Sequence, residues 1–447
     1  MSVEEAAAEV EAELADDGVA RLPEPPPGAH LGIRVGAGDH VVFYGRQNKG
    51  EIAGRPVMRF HDEGWVLDVR TRRWRALPRS PFAATPDLSG IDAVWTGREV
   101  LVAGTPCGAI FLDNPDDDDP DPATCAAGEA VGGRLQVAAY SPSRDRWRLV
   151  SELAGYLSPE WEAKEREEGP FALAVVPVGE GWTGGEYVLK PAGSPPGLMV
   201  LDPADGRWQW TEPLPPGVTP YSLCVAQGRV VGVASPNPAW ITPDAGAPSG
   251  VPGVTLDPST LRWEPLSPVD GIAERGTFSL ELTCPLDPRA AAVFVESPSP
   301  GSGRAPRLLR LDVERRAWEP LPVLGLGRGA AMLVLKGVRV GDVEVLLQYE
   351  RGAGLGLAGS AGGEGLLVPS RDGLGWQRVP AWPGGLRGIW LGNGRFVVPG
   401  EGWSTSGGSD PSAGPSAGLL VDLRIHLARH GVDVADAPRS RTAGGPG

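Results

Sequence analysis

Histidine and cysteine are both scarce in this chain, with five of the first and four of the second in 447 residues. The histidines stand at 30, 40, 61, 426 and 430, and no His-x-His or His-Glu-x-x-His pair occurs, so a local zinc or copper motif is excluded. The cysteines at 107, 125, 224 and 284 include no Cys-x-x-Cys pair, which excludes a zinc ribbon. Cys224 and Cys284 lie in apolar runs and are expected to be buried. Cys107 and Cys125 bracket a loop that a disulfide could staple, with two reduced thiols as the alternative. No apolar run approaches the ~18 residues of a membrane-spanning helix. Basic residues are outnumbered, 41 against 56 acidic, and the net charge of -15 excludes general nucleic-acid binding, which needs a cationic face. The opening Met1-Ser2-Val3-Glu4-Glu5 is acidic where a secretion signal is basic, so the expected location is the cytoplasm.

Glycine and proline, by contrast, are abundant. There are 64 and 47 of them, together about a quarter of the chain, a level that often marks disorder. The 15 tryptophans and a 41% apolar content argue the other way, because such side chains need a core. The first 18 residues form a separate signal. Ser2 and Glu5 have capping-box spacing, and Val3, Ala7, Val10 and Leu14 share a helical face before Gly18, predicting an acidic amphipathic helix over 2–17.

From residue 19 onward one unit recurs: an apolar strand, a tight turn, a short polar segment and a tryptophan. It reads Trp65-Val66-Leu67-Asp68 before Trp74, Ala139-Tyr140-Ser141 before Trp147, and Val200-Leu201-Asp202 before Trp208. It continues as Thr255-Leu256-Asp257 before Trp263, Arg310-Leu311-Asp312 before Trp318, and Leu366-Leu367-Val368 before Trp376. Two further strands precede each of these, joined by hairpin signals such as Thr96-Gly97-Arg98, Gln227-Gly228-Arg229 and Gly392-Asn393-Gly394. Four short strands per ~50–60 residues is the pattern of a propeller blade.

This unit resembles the kelch repeat, within the superfamily of kelch and galactose-oxidase propellers. The resemblance covers roughly residues 19–425. It departs from the pattern after the second strand, where a Gly-Gly pair is usual and this chain has Tyr44-Gly45, Ala103-Gly104, Ala234-Ser235 and Val295-Glu296. The resemblance implies an all-β propeller. Six tryptophan strands are followed by three more strands near 387–391, 395–398 and 418–422, and Val19-Ala20-Arg21-Leu22-Pro23 copies the stretch around Trp74 without the tryptophan. Seven four-stranded blades are therefore expected, the last closed by the N-terminal strand, with six as the alternative. Residues 426–434 could instead supply the last strand, and 426–447 is expected to be a tail, flexible in part.

In such a blade the two-to-three and four-to-one connections share a face, and the long insertions at 45–64, 104–134, 235–251, 296–307, 349–364 and 399–417 fall there. On that face Arg275, Arg328 and Arg387 open inner strands, and His30 holds a similar place. They would either bind a carboxylate or phosphate or tie neighbouring blades together. Trp161, Trp240 and Trp403 lie in loops, where they could anchor a partner or cap a blade. Asp113 to Asp121 is rich in aspartate, and Asp116, Asp118 and Asp121 could hold Ca²⁺, although the run lacks an EF-hand register and also reads as a solvated acidic loop. No cofactor is implied, and no catalytic residue can be named. The leading expectation is a propeller that binds a protein partner or small ligand on its long-loop face. The alternatives are a hydrolase, lyase or isomerase at the channel mouth, and a structural subunit.

Overall fold

The computed structural model describes residues 2–27, 29, 32–52, 55–82, 87–106, 110–111, 133–157, 176–178, 181–183, 199–212, 218–234, 250–257, 260–270, 278–298, 307–321, 333–350, 365–370, 376–382, 386, 388–400, 403 and 417–434. They build an all-β propeller of antiparallel four-stranded blades. Blade I covers 33–76, blade II 87–157, blade III 218–270, blade IV 278–321 and blade V 333–380. Blade VI takes its three inner strands from 389–422 and its outer strand from Val19–Arg21. That closure was legible: Val19 pairs with Val421, Ala20 with Leu420 and Arg21 with Leu419. No described helix is long and apolar enough to cross a membrane.

The expected count of seven is corrected. Six four-stranded blades form among the described residues, and between blades II and III stand two separate hairpins, Val176–Val178 with Gly181–Thr183 and Met199–Leu201 with Trp208–Trp210. The physical reason is in the sequence. Pro177 sits within one of these three-residue strands and Pro191, Pro195 and Pro196 between the hairpins, and proline cannot donate to a ladder.

The turn that ends each third strand explains the recurring aspartate. Asp68 accepts from the backbone N–H of Arg70 and Thr71, Asp202 from Ala204, and Asp312 from Arg315, at 2.8–3.1 Å. The residue two places before the tryptophan then takes a left-handed conformation: Arg72, Asp145, Gly206, Leu261 and Arg316 all have φ between 50° and 73°. In blade VI no such turn is needed, because the fourth strand comes from the other end of the chain. There the equivalent Asp422 caps helix α2 (Leu423–Arg429), accepting from Arg424 N–H at 3.0 Å. This helix replaces the alternative closing strand at 426–434, and Leu423, Ile425, Leu427, Val432 and Val434 are buried, so this stretch is core rather than tail.

Four of the six repeat tryptophans reach back one unit. The indole N–H of Trp74 donates to Pro23 O at 3.2 Å, Trp147 to Pro78 O at 2.8 Å, Trp208 to Ser151 Oγ at 3.0 Å and Trp263 to Glu212 O at 2.8 Å. Every acceptor lies four positions beyond the corresponding residue of the preceding unit: Val19, Trp74, Trp147 and Trp208. The arginine after the tryptophan reaches forward instead. Arg75 donates to Pro142 O at 2.8 Å and Arg148 to Pro203 O at 2.9 Å, both on the next unit's turn. Inner strands approach so closely that a side chain is excluded at Gly36, where a Cβ would lie 1.9 Å from Trp390 O of blade VI.

Helix α1 (Val3–Asp17) forms with both halves of its capping box, Ser2 N–H to Glu5 Oε2 at 2.7 Å and Glu5 N–H to Ser2 Oγ at 3.1 Å. It buries Ala6, Val10 and Leu14 in the seam between blades VI and I, while Val3, expected on the buried face, is 54% exposed. Its acidic side chains clasp both blades. Glu9 and Glu13 meet Arg72 of blade I, and Glu11 meets Arg395 of blade VI through both oxygens at 2.9 Å. The Arg72 guanidinium holds the Glu13 carboxyl below its ordinary range.

Two predictions test this account. Trp147→Phe should cost about 1 kcal/mol more than Trp318→Phe in urea denaturation, because the two lose equal ring volume but the Trp318 indole N–H has no acceptor among the described residues. Deleting residues 1–25 removes α1 and the closing strand, and calorimetry should show a broadened, lowered transition. Unchanged cooperative unfolding would show that the ring closes without them.

Candidate functional site

The two faces of the ring are built differently. The one-to-two turns are tight and glycine-assisted, with positive φ at Gly97, Gly228, Gly341 and Asn393-Gly394. On that same side the three-to-four turns carry the aspartate loops, and α1 clasps the turns of blades I and VI. His40 lies at the blade I turn, where burial first of all lowers its pKa and keeps the ring neutral. His426, on α2, bonds Pro380 O at 2.8 Å and is likewise held below its ordinary value by burial. These groups are engaged in structure.

On the opposite face the 45–64 connection, expected as a loop, is a β-hairpin. Strands His40–Ile52 and Arg55–Asp68 continue past the blade with unbroken pairing from Arg46↔His61 to Ile52↔Arg55. A bulge between Tyr44 and Arg46 marks where the blade ends and this arm begins. The arm leans toward blade II: Phe60 pairs with Leu88 and His61 with Asp87, and Val57 and Met58 pair with Phe111 and Ile110. Blades I and II thereby share one continuous sheet. The arm is net positive in a net negative chain, with Arg46, Lys49, Arg55 and Arg59 against the single acidic Glu51.

A buried polar network fixes the base of the arm. Tyr44 donates its hydroxyl to Asp62 Oδ1 at 2.9 Å and also lies 3.2 Å from Ser80 Oγ, while Ser80 N–H reaches Asp62 Oδ2 at 3.3 Å. Ser80 Oγ in turn accepts from Phe82 N–H at 3.2 Å. Burial, reinforced by the Asp62 carboxylate, pushes the Tyr44 phenol far above its ordinary value, so it stays a donor at any physiological pH. The Tyr44 ring packs on Trp147 of blade II and on Phe82, at centroid distances of 5.3 and 6.3 Å. The arm is thus joined to a rigid base, as a recognition element requires.

Of the residues nominated from sequence, His30, Arg275, Arg328, Arg387, Trp161 and Trp240 lie outside the described residues, as do Cys107, Cys125, Asp116, Asp118 and Asp121. Trp403 is described, and of its two expected roles, anchoring a partner or capping a blade, its burial corrects the first and agrees with the second. It is 0% exposed, wedged edge-on against Phe43 and Trp74 at 6.0 and 5.3 Å and lying over Gly418. Among the described residues no group of three or more His, Cys, Asp or Glu side chains could hold a metal. Gly414-Pro415-Ser416-Ala417-Gly418 has Gly-x-Ser-x-Gly spacing, but it leads into the strand Leu419–Asp422, whereas a nucleophile elbow runs from a strand into a helix.

No family model matches the chain, and no curated protein matches it in sequence. Among solved structures it is similar to an oligogalacturonate lyase in complex with manganese, at 10% identity and TM-score 0.40, over 87% of this chain and 98% of that one. It is also similar to a prolyl endopeptidase from a study of inter-domain dynamics, at 12% identity and TM-score 0.39, over 94% of this chain and 54% of that one.

Tyr44→Phe keeps the ring and removes the hydroxyl from a buried network. It should lower stability by about 1–2 kcal/mol and speed proteolytic cleavage within 46–61. Cleavage at the original rate would show that the network does not anchor the arm.

Proposed function

We propose that this kelch-like propeller is a binding scaffold, and that it captures an extended, acidic protein segment on its long-loop face by means of the 46–61 arm. The single observation that carries this reading is the arm itself. One of its strands, Arg55–His61, is covered by 87–88 and 110–111. The other, Arg46–Ile52, pairs on one side only, since the inner strand of blade I stops pairing at Tyr44, and among the described residues no strand covers its outer edge. A row of unpaired backbone N–H and C=O groups is the template on which a partner adds a strand. Cationic side chains along the hairpin favour an acidic occupant and speed its encounter. The chain as a whole carries -15, which disfavours an acidic segment in general, so a net positive arm also favours position.

The test uses displayed peptide libraries of acidic, neutral and basic composition, selected on the full chain and on a variant in which Asn-Gly replaces residues 46–61. Acidic peptides should be enriched on the full chain and lost on the variant, with the melting temperature of the variant within a few degrees of the parent. Enrichment without charge preference, or equal enrichment on both proteins, rules out the arm as the recognition element.

A further inference from the structure

Two of the four cysteines meet across a blade boundary. Cys224 lies on Val218–Ala226, the inner strand of blade III, and is buried; Cys284 directly follows Phe278–Thr283, the inner strand of blade IV. The sequence led us to expect both thiols in the core, but Cys284 is exposed, because the chain turns outward there toward the Asp287 loop. The Cys284 thiol points back at blade III, where it donates to Leu223 O at 3.7 Å and hydrogen-bonds the Cys224 thiol. That hydrogen bond, and after it burial, holds the Cys224 thiol well above its ordinary value. One thiol is therefore open to solvent while its neighbour is protected, protonated and within reach of it.

We propose that Cys224 and Cys284 are a redox pair, which hydrogen peroxide converts to a disulfide joining blades III and IV. The exposed Cys284 sulfur, as thiolate, attacks the peroxide, the O–O bond breaks, and Cys284 becomes a sulfenic acid as the first water leaves. Cys224 sulfur then displaces the hydroxyl from Cys284, the S–S bond forms, and the Cys224 proton departs with that hydroxyl as a second water. Two thiols are oxidised and one peroxide is reduced. A small dithiol reverses the step by exchange at the solvent-facing sulfur of Cys284. The link closes the sixty-residue span from 224 to 284 and restrains the unfolded chain accordingly.

The experiment uses the full chain carrying Cys107→Ser and Cys125→Ser, so that only this pair reports. After equimolar hydrogen peroxide, the thiol titre should fall from two to none and the intact mass should drop by two hydrogens. A linked peptide containing 224 and 284 should appear, the melting temperature should rise, and dithiothreitol should undo all four changes. With Cys224→Ser added, oxidation should stop at a sulfenic acid on Cys284 that dimedone traps. A dimedone adduct or sulfinic acid on Cys284 while Cys224 is present and still reduced would overturn the pairing. A disulfide between two chains would overturn it equally.

Discussion

Trp74, Trp147, Trp208 and Trp263 each donate the indole N–H to an atom four positions past the matching residue of the preceding unit, and the stretch of the ring from blade VI through blade III depends on this stitch. A blade buries its two faces against its neighbours and cannot do so alone, so blade-to-blade geometry must be set accurately. Hydrophobic contact is non-directional and sets no register. The hydrogen bond does, and each one contributes about 1 kcal/mol. The stitch also spans the region between blades II and III, where Trp208 bonds Ser151 and Glu212 accepts from Trp263 although the two hairpins share no four-stranded sheet. Continuity of the ring there rests on these specific contacts and on Arg148 reaching Pro203 O.

The same logic bears on how the ring closes. Val19 takes the place of a tryptophan in the outer strand of blade VI, so that strand makes no stitch of its own, yet Pro23 still accepts one from Trp74. The weakened seam is reinforced from three directions. Trp403 fills it, α1 clasps Arg72 and Arg395 across it, and Asp422 turns the chain into α2 instead of into a fourth strand. Much of the acidic charge in α1 is thereby explained as structure.

Most of the fold was legible because it is written in local chemistry that repeats. An aspartate, a residue able to adopt positive φ, and a tryptophan at fixed offsets specify a turn without reference to anything distant. The capping box of α1 and the copied Leu22-Pro23 were legible for the same reason. What escaped was decided by distant partners. Trp403 reads as a loop tryptophan, and only the shape of the seam buries it. The 45–64 stretch reads as a loop because its pairing with 87–88 and 110–111 spans tens of residues and leaves a weak alternation. Cys284 follows an apolar strand, but its exposure depends on where the next turn leads. The expected seven blades came from counting tryptophans, and a tryptophan marks the stitch rather than the completeness of a sheet.

The division of labour between the faces follows from how backbone groups are satisfied. On the turn side aspartates meet backbone N–H groups at blade ends, beside glycine-assisted turns and the capped helix α2. On the other side the arm carries a strand edge beyond the blade and keeps it rigid through Tyr44, Asp62 and Ser80, three residues that contribute no contact to a ligand themselves. An exposed strand edge invites uncontrolled pairing, and charge placed along it is a recognised protection. Arg46 and Lys49 fall on the open strand of the arm, and like charges disfavour edge-to-edge pairing of two copies.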